Sequence, residues 1–103
     1  EIKLNKQHHI QSAINNLKVA LSIEPGSSRT WRYLAIAQGL NGDTGNSSLS
    51  LAEEALLKGE LTVVKYHVDR AIRFFPKNSR EWLQAQDILL NLKSHQRKNS
   101  KNK

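Results

Sequence analysis

The residues best placed to do chemistry are Glu53 and Glu54, adjacent carboxylates within SLAEEALLKGE (50–60), and the histidines His8, His9, His67 and His95. Paired carboxylates serve general acid–base catalysis when both reach one substrate atom. Successive side chains on a helix diverge by about 100°. Once the run is helical, Glu53 and Glu54 therefore point apart; Glu53 is expected in a surface groove and Glu54 in water. A helical zinc-protease site needs HExxH, two histidines one turn apart with a glutamate base between them. None of the four histidines stands in that pattern, which assigns them to the surface. Asp43 in NGDTGN (41–46) lacks the further carboxylates and closing Glu of a calcium loop, so the run reads as a turn. No Ser/His/Asp order, Gly-rich phosphate loop or carboxylate cluster is present. No catalytic residue, metal ligand or cofactor is expected in this chain, and no enzyme activity of its own.

The elements that carry these residues all read as helices, because apolar residues recur at helical spacing and no stretch alternates as a strand would. The first is expected over about 6–23, with Ile10, Ala13, Ile14, Leu17, Ala20 and Leu21 on one stripe, ended by Pro25 and Gly26. Ser27 or Ser28 caps a second, carrying Trp31, Leu34, Ala35 and Gln38 up to Gly39. NGDTGNSS (41–48) is expected as a loop, with Asn46 or Ser47 capping a third helix that presents Leu51, Ala52, Ala55 and Leu56 and ends at Gly59. A fourth runs from about Leu61 to Phe75, with Val64, Val68, Ala71, Ile72 and Phe75 inward, and stops at Pro76. Asn78 or Ser79 caps a fifth with Trp82, Ala85, Leu89 and Leu92 along one side. Short connections between five helices make an all-α stack of antiparallel hairpins.

The net charge of +7 is unevenly placed. Lys93, Arg97, Lys98, Lys101 and Lys103 lie in the last 11 residues with no acid, leaving 11 basic and 9 acidic groups elsewhere. Residues 93–103 are expected as a basic disordered tail and 1–92 as the helical domain. Such a tail binds polyanions weakly and without selectivity, so no specific nucleic-acid partner is expected. No apolar run approaches the length of a membrane span. The opening EIKLNK and the absence of Met predict a piece of a longer protein, and zero Cys leaves the redox compartment open.

Two segments lie over each other in register. Ala13, Leu17 and Ala20 precede Pro25 and then Trp31; Val64, Val68 and Ala71 precede Pro76 and then Trp82. This pattern resembles the tetratricopeptide repeat (TPR), in which small residues allow a close helix crossing and a proline ends the second helix. The two prolines are 51 residues apart, one and a half units of the usual period of about 34. The predicted architecture is therefore a short, irregular TPR-like right-handed superhelix.

The wording of the segments carries a narrower resemblance. The runs WRYLAIAQGLNGDTG (31–45), LSLAEEALLKGE (49–60) and AIRFFPKNSREWLQAQDIL (71–89) resemble the C-terminal repeat domain of bacterial M-forty-eight family zinc metalloproteases of the BepA-like, periplasmic kind. The matching words are Leu34-Ala35, Gly42-Asp43, Ala52-Glu53, Gly59 and Asp87-Ile88-Leu89. The resemblance implies a non-catalytic interaction domain attached to a zinc-dependent peptidase, with zinc only in the protease domain. It implies a periplasmic or cell-envelope location and a part in outer-membrane protein quality control.

A repeat stack buries one face of each helix and lines a concave surface with another. By the repeat pattern, the protein-binding groove residues are Arg29, Arg32, Ile36, Leu49, Glu53, Leu56, Leu83, Asp87 and Leu90. The expected partner is a protein or peptide, the parent's own protease domain included. The Arg29, Arg32, Ile36 and Leu40 positions do not reproduce the Lys and Asn of a carboxylate clamp. The apolar face of the Ile10–Leu21 helix is expected to be partly exposed and to favour a homodimer. The competing reading is a free-standing TPR adaptor unrelated to proteolysis, cytoplasmic if the resemblance fails.

Overall fold

In a computed structural model that describes the backbone of residues 2–101 and the side-chain surroundings of residues 6–98, the chain is all-α and helical-repeat-like. Helices α1 (Ile2–Ile23), α2 (Ser28–Leu40), α3 (Thr44–Lys58), α4 (Leu61–Ala71) and α5 (Arg80–Lys101) follow in order, with a 3-10 turn at Ile72–Phe74 after α4. Each boundary has a local cause. The Ser27 hydroxyl accepts from the Thr30 N–H at 3.2 Å to start α2, and the Trp31 indole N–H donates to the Pro25 carbonyl at 3.1 Å, latching the preceding turn.

The expected 41–48 loop is instead a three-residue connection, 41–43, because Asp43 rather than Asn46 or Ser47 caps α3. Asp43 accepts from the Asn46 N–H at 3.2 Å, while its own N–H returns to the Gln38 carbonyl at 2.9 Å. One residue thus closes α2 and opens α3. Gly59 ends α3 as expected: at φ 74° it is in the left-handed region, and the next N–H, from Glu60, reaches the Ala55 carbonyl at 2.9 Å. The α-helix of the fourth segment stops at Ala71, four residues short of Phe75, which is extended before Pro76. Ser79 caps α5 through the Trp82 N–H at 3.2 Å. Beyond Leu92 the expected disordered tail is helical through Lys101; Asn102 and Lys103 lie outside the described residues.

Helix α3 is the hub and touches α2, α4 and α5. Its Leu49, Ala52 and Ala55 pack with Val64, Val68 and Ala71 of α4 and with Ala85, Ile88 and Leu92 of α5 in the larger core. Ala52, Val64, Val68 and Ala71 are 0% exposed, as the close crossing of small residues requires. A second core joins α1 and α2 through Ile14, Leu21, Leu34 and Ala37, with Ile10, Leu17 and Trp31 packed against it.

The two copies of the repeated motif differ in burial. Val64 and Ala71 are sealed against α3, whereas the matching Ala13 and Ala20 are exposed because no described helix lies in front of α1. The part of the α1 stripe expected inward therefore divides: Ile14 and Leu21 are buried on α2, and Ala13 and Ala20 face outward.

Candidate functional site

The two apolar cores meet through a polar layer. On the α2–α3 contact the Ser47 hydroxyl donates to the Ala35 carbonyl at 2.7 Å and the Ser50 hydroxyl donates to the Gln38 side-chain oxygen at 2.6 Å. Beside this layer lies a cleft of about 380 Å³, within the range of ligand sites. One wall is Lys18, Leu21 and Ser22 of α1 with Trp31 and Leu34 of α2. The other is Asn46 and Leu49 of α3 with Arg80, Glu81 and Gln84 of α5, and the Gln38–Ser50 pair lies between them. Lys18, Arg80 and Glu81 form no ion pair with a described residue.

The position of each wall follows from the helix starts. The Asp43 cap sets Asn46 at the mouth through a 2.9 Å bond from the Asn46 amide, and the Ser79 cap sets Arg80, Glu81 and Gln84 on the first turns of α5. The arrangement offers donors, acceptors and both charge signs around an apolar floor of Leu34 and Leu49. Such a lining can hydrogen-bond and pair with polar or charged groups of a ligand. It includes no nucleophile–base pair.

The residues expected from the repeat pattern are scattered. Arg29, Arg32 and Ile36 lie exposed on α2, away from the cleft; Leu49 is 1% exposed in the larger core and reaches the cleft edge; Leu56 packs on the same core. Leu83, Asp87 and Leu90 are exposed along α5. Glu53 links α3 to α5, accepting from the Gln84 amide at 3.3 Å. Burial between α3 and α5 pushes the Glu53 carboxyl above its ordinary 4.5; the Gln84 bond opposes that and the nearby Asp87 charge adds to it.

Glu54 does not face water. It is 8% exposed and receives Arg32 of α2 at 3.7 Å and Lys58 of α3 at 3.9 Å. The pair of glutamates thus splits as helical geometry demands, Glu53 toward α5 and Glu54 toward α2. His67, expected at the surface, is half-buried on α4 with its Nδ1 buried and unbonded among the described residues. Burial lowers its imidazole below the ordinary 6.5, Arg70 lowers it further, and Glu54 opposes both.

Sequence reading missed Lys18, Ser22, Asn46, Ser50, Arg80, Glu81 and Gln84 as cleft residues. Gln38 was the available signal, a polar residue placed on an otherwise apolar helical face. Among the described residues there is no cluster of three or more His, Asp or Glu able to hold a metal ion, and no helix long and apolar enough to cross a membrane. Compared with known proteins, the chain matches no family model, no curated protein and no solved structure.

Proposed function

We infer that this chain is a non-catalytic protein-binding module of the helical-repeat kind, and that the cleft between α1–α2 and α3–α5 receives a polypeptide segment. The observation that carries this reading is the composition of the cleft. Its walls belong to two separate cores, and it is lined by Lys18, Arg80 and Glu81, which form no ion pair among the described residues, around a floor of Leu34 and Leu49. Selection of displayed random peptides on the chain tests it. Selected peptides bind the chain and lose binding to Lys18→Glu/Arg80→Glu; peptides indifferent to both substitutions would contradict the assignment.

The module works at the C-terminus of a bacterial zinc metalloprotease of the cell envelope, docking or gating the protease or recruiting envelope proteins. This wider reading is supported by the wording of runs 31–45, 49–60 and 71–89 and by the half-repeat spacing of Pro25 and Pro76. Reading the gene ahead of Glu1 tests it. An in-frame HExxH supports the protease setting, and a start codon immediately ahead of Glu1 assigns the chain to a free-standing adaptor.

A further inference from the structure

Five cations and no acid occupy residues 93–103, and α5 carries four of them, Lys93, Arg97, Lys98 and Lys101, as helix. Residues 93–98 are all exposed, and none forms an ion pair with a described residue. Lys93 and Arg97 are four residues apart, so they share one face about 6 Å apart along the axis. A disordered tail would average such charges over many positions; a helix holds them in a row.

A groove of about 490 Å³ between α4 and α5 opens where this arm leaves the body. Leu89, Leu90 and Leu92 give it an apolar wall, and Lys65 and Lys93 stand at its rim. Leu90 is 64% exposed, although Leu92 beside it is buried at 4%. Lys65 is held by Asp69 at 3.0 Å, which leaves the Lys93 side as the unpaired cationic edge. An apolar trough therefore runs directly into a row of positive charge.

We propose that this groove and arm dock an acidic, leucine-bearing segment of a partner protein. An aliphatic side chain of the segment lies against Leu89 and Leu90, and its carboxylates meet Lys93 and Arg97. Charge complementarity selects the acid, since the arm offers no carboxylate to a basic partner. The concave apolar wall selects a peptide: a flat bilayer surface touches the arm without filling the groove, and no aromatic side chain lines the groove to stack a nucleic-acid base. The cations speed encounter and the leucine contact prolongs the complex. This site is separate from the cleft, shares no lining residue with it and stands without it.

Fluorescence anisotropy with a labelled peptide of two leucines followed by a run of glutamates, titrated with the full chain, tests the proposal. Saturable binding is expected, weakened about tenfold by Lys93→Glu/Arg97→Glu and screened by salt. Leu90→Ser weakens it about tenfold as well, the cost of losing one apolar side-chain contact. Lys18→Glu leaves it unchanged. These side chains are exposed, and an unaltered melting temperature confirms that the variants remain folded. No saturable binding would overturn the proposal, as would binding indifferent to Leu90→Ser. Tighter binding to anionic vesicles or single-stranded DNA than to the peptide would also overturn it, assigning the arm to a general polyanion surface.

Discussion

Ser50 on α3 donates its hydroxyl to the Gln38 side-chain oxygen on α2 across 2.6 Å, in an interface where neither residue is more than 5% exposed. This buried pair joins the two apolar cores and lies between the walls of the cleft. It is directional, so it fixes how α2 and α3 sit against each other in a way that apolar contact would not.

Removing one partner strands the other. Ser50→Ala leaves the Gln38 oxygen buried without its donor, and the expected loss is about 1–3 kcal/mol in denaturant unfolding. Adding Gln38→Leu to Ser50→Ala recovers part of that loss, because no polar group is then left unpaired. A double variant whose loss equals the sum of the losses of the two singles would show that the pair is not coupled.

Gly45 faces the aromatic turn after α4. A methyl group there would lie 2.6 Å from Phe75 Cζ and 2.8 Å from Phe74 Cβ, both far inside contact distance. Gly45→Ala is therefore expected to destabilise by about 1–3 kcal/mol, by overpacking. Phe75→Leu in the same chain relieves only part of the strain, since the Phe74 contact persists. Thermal melts of the three variants check this.

Glu53 is a liability near neutral pH. Its folded carboxyl titrates above 4.5, so as pH rises through 4.5 the unfolded chain releases its proton first and stability falls until the folded group also ionises. Glu53→Gln keeps an oxygen for the Gln84 amide and removes the desolvated charge and its repulsion from Asp87. Stability at pH 7 is expected to rise, and the decline above pH 4.5 to flatten. Equal or lower stability at pH 7 would contradict this.

Much of the fold was legible in the sequence because its signals are local. Helical spacing placed five helices, Ser27 and Ser79 were named among the caps, and Gly59 ended α3 through its left-handed backbone. The start of α3 was misjudged because Asp43 serves two helices at once, which composition alone reads as a loop. The arm beyond Leu92 was read as disordered from its charge, yet it continues α5. The candidate site was barely legible. It depends on which faces of α1 and α5 come opposite each other across the α2–α3 layer, and a regular repeat register cannot give that for a half-repeat array. Glu54 was misread for the same reason: its partner Arg32 is 22 positions away.

His67 gives the acid limb a distinct origin. Its folded imidazole titrates below 6.5, so as pH falls through 6.5 the unfolded chain takes up its proton first and the folded state loses stability. The groups acting on it are Arg70 on its own helix and Glu54 from α3, with Tyr66 edge-on at 5.2 Å. His67→Leu is expected to remove this loss between pH 6.5 and the folded titration point, and to eliminate a buried Nδ1 that has no hydrogen-bond partner among the described residues. Chemical denaturation across pH measures it; an unchanged profile would refute the assignment.

The most direct test of the central claim is nuclear magnetic resonance mapping of a selected peptide on the isotope-labelled chain. A polypeptide bound in the cleft is predicted to shift the resonances of Lys18, Gln38, Ser50, Arg80 and Gln84 together, with the shifts lost in Lys18→Glu/Arg80→Glu. Shifts confined to the outer face of α2 at Arg29, Tyr33 and Ile36, with the cleft resonances unmoved, would contradict it.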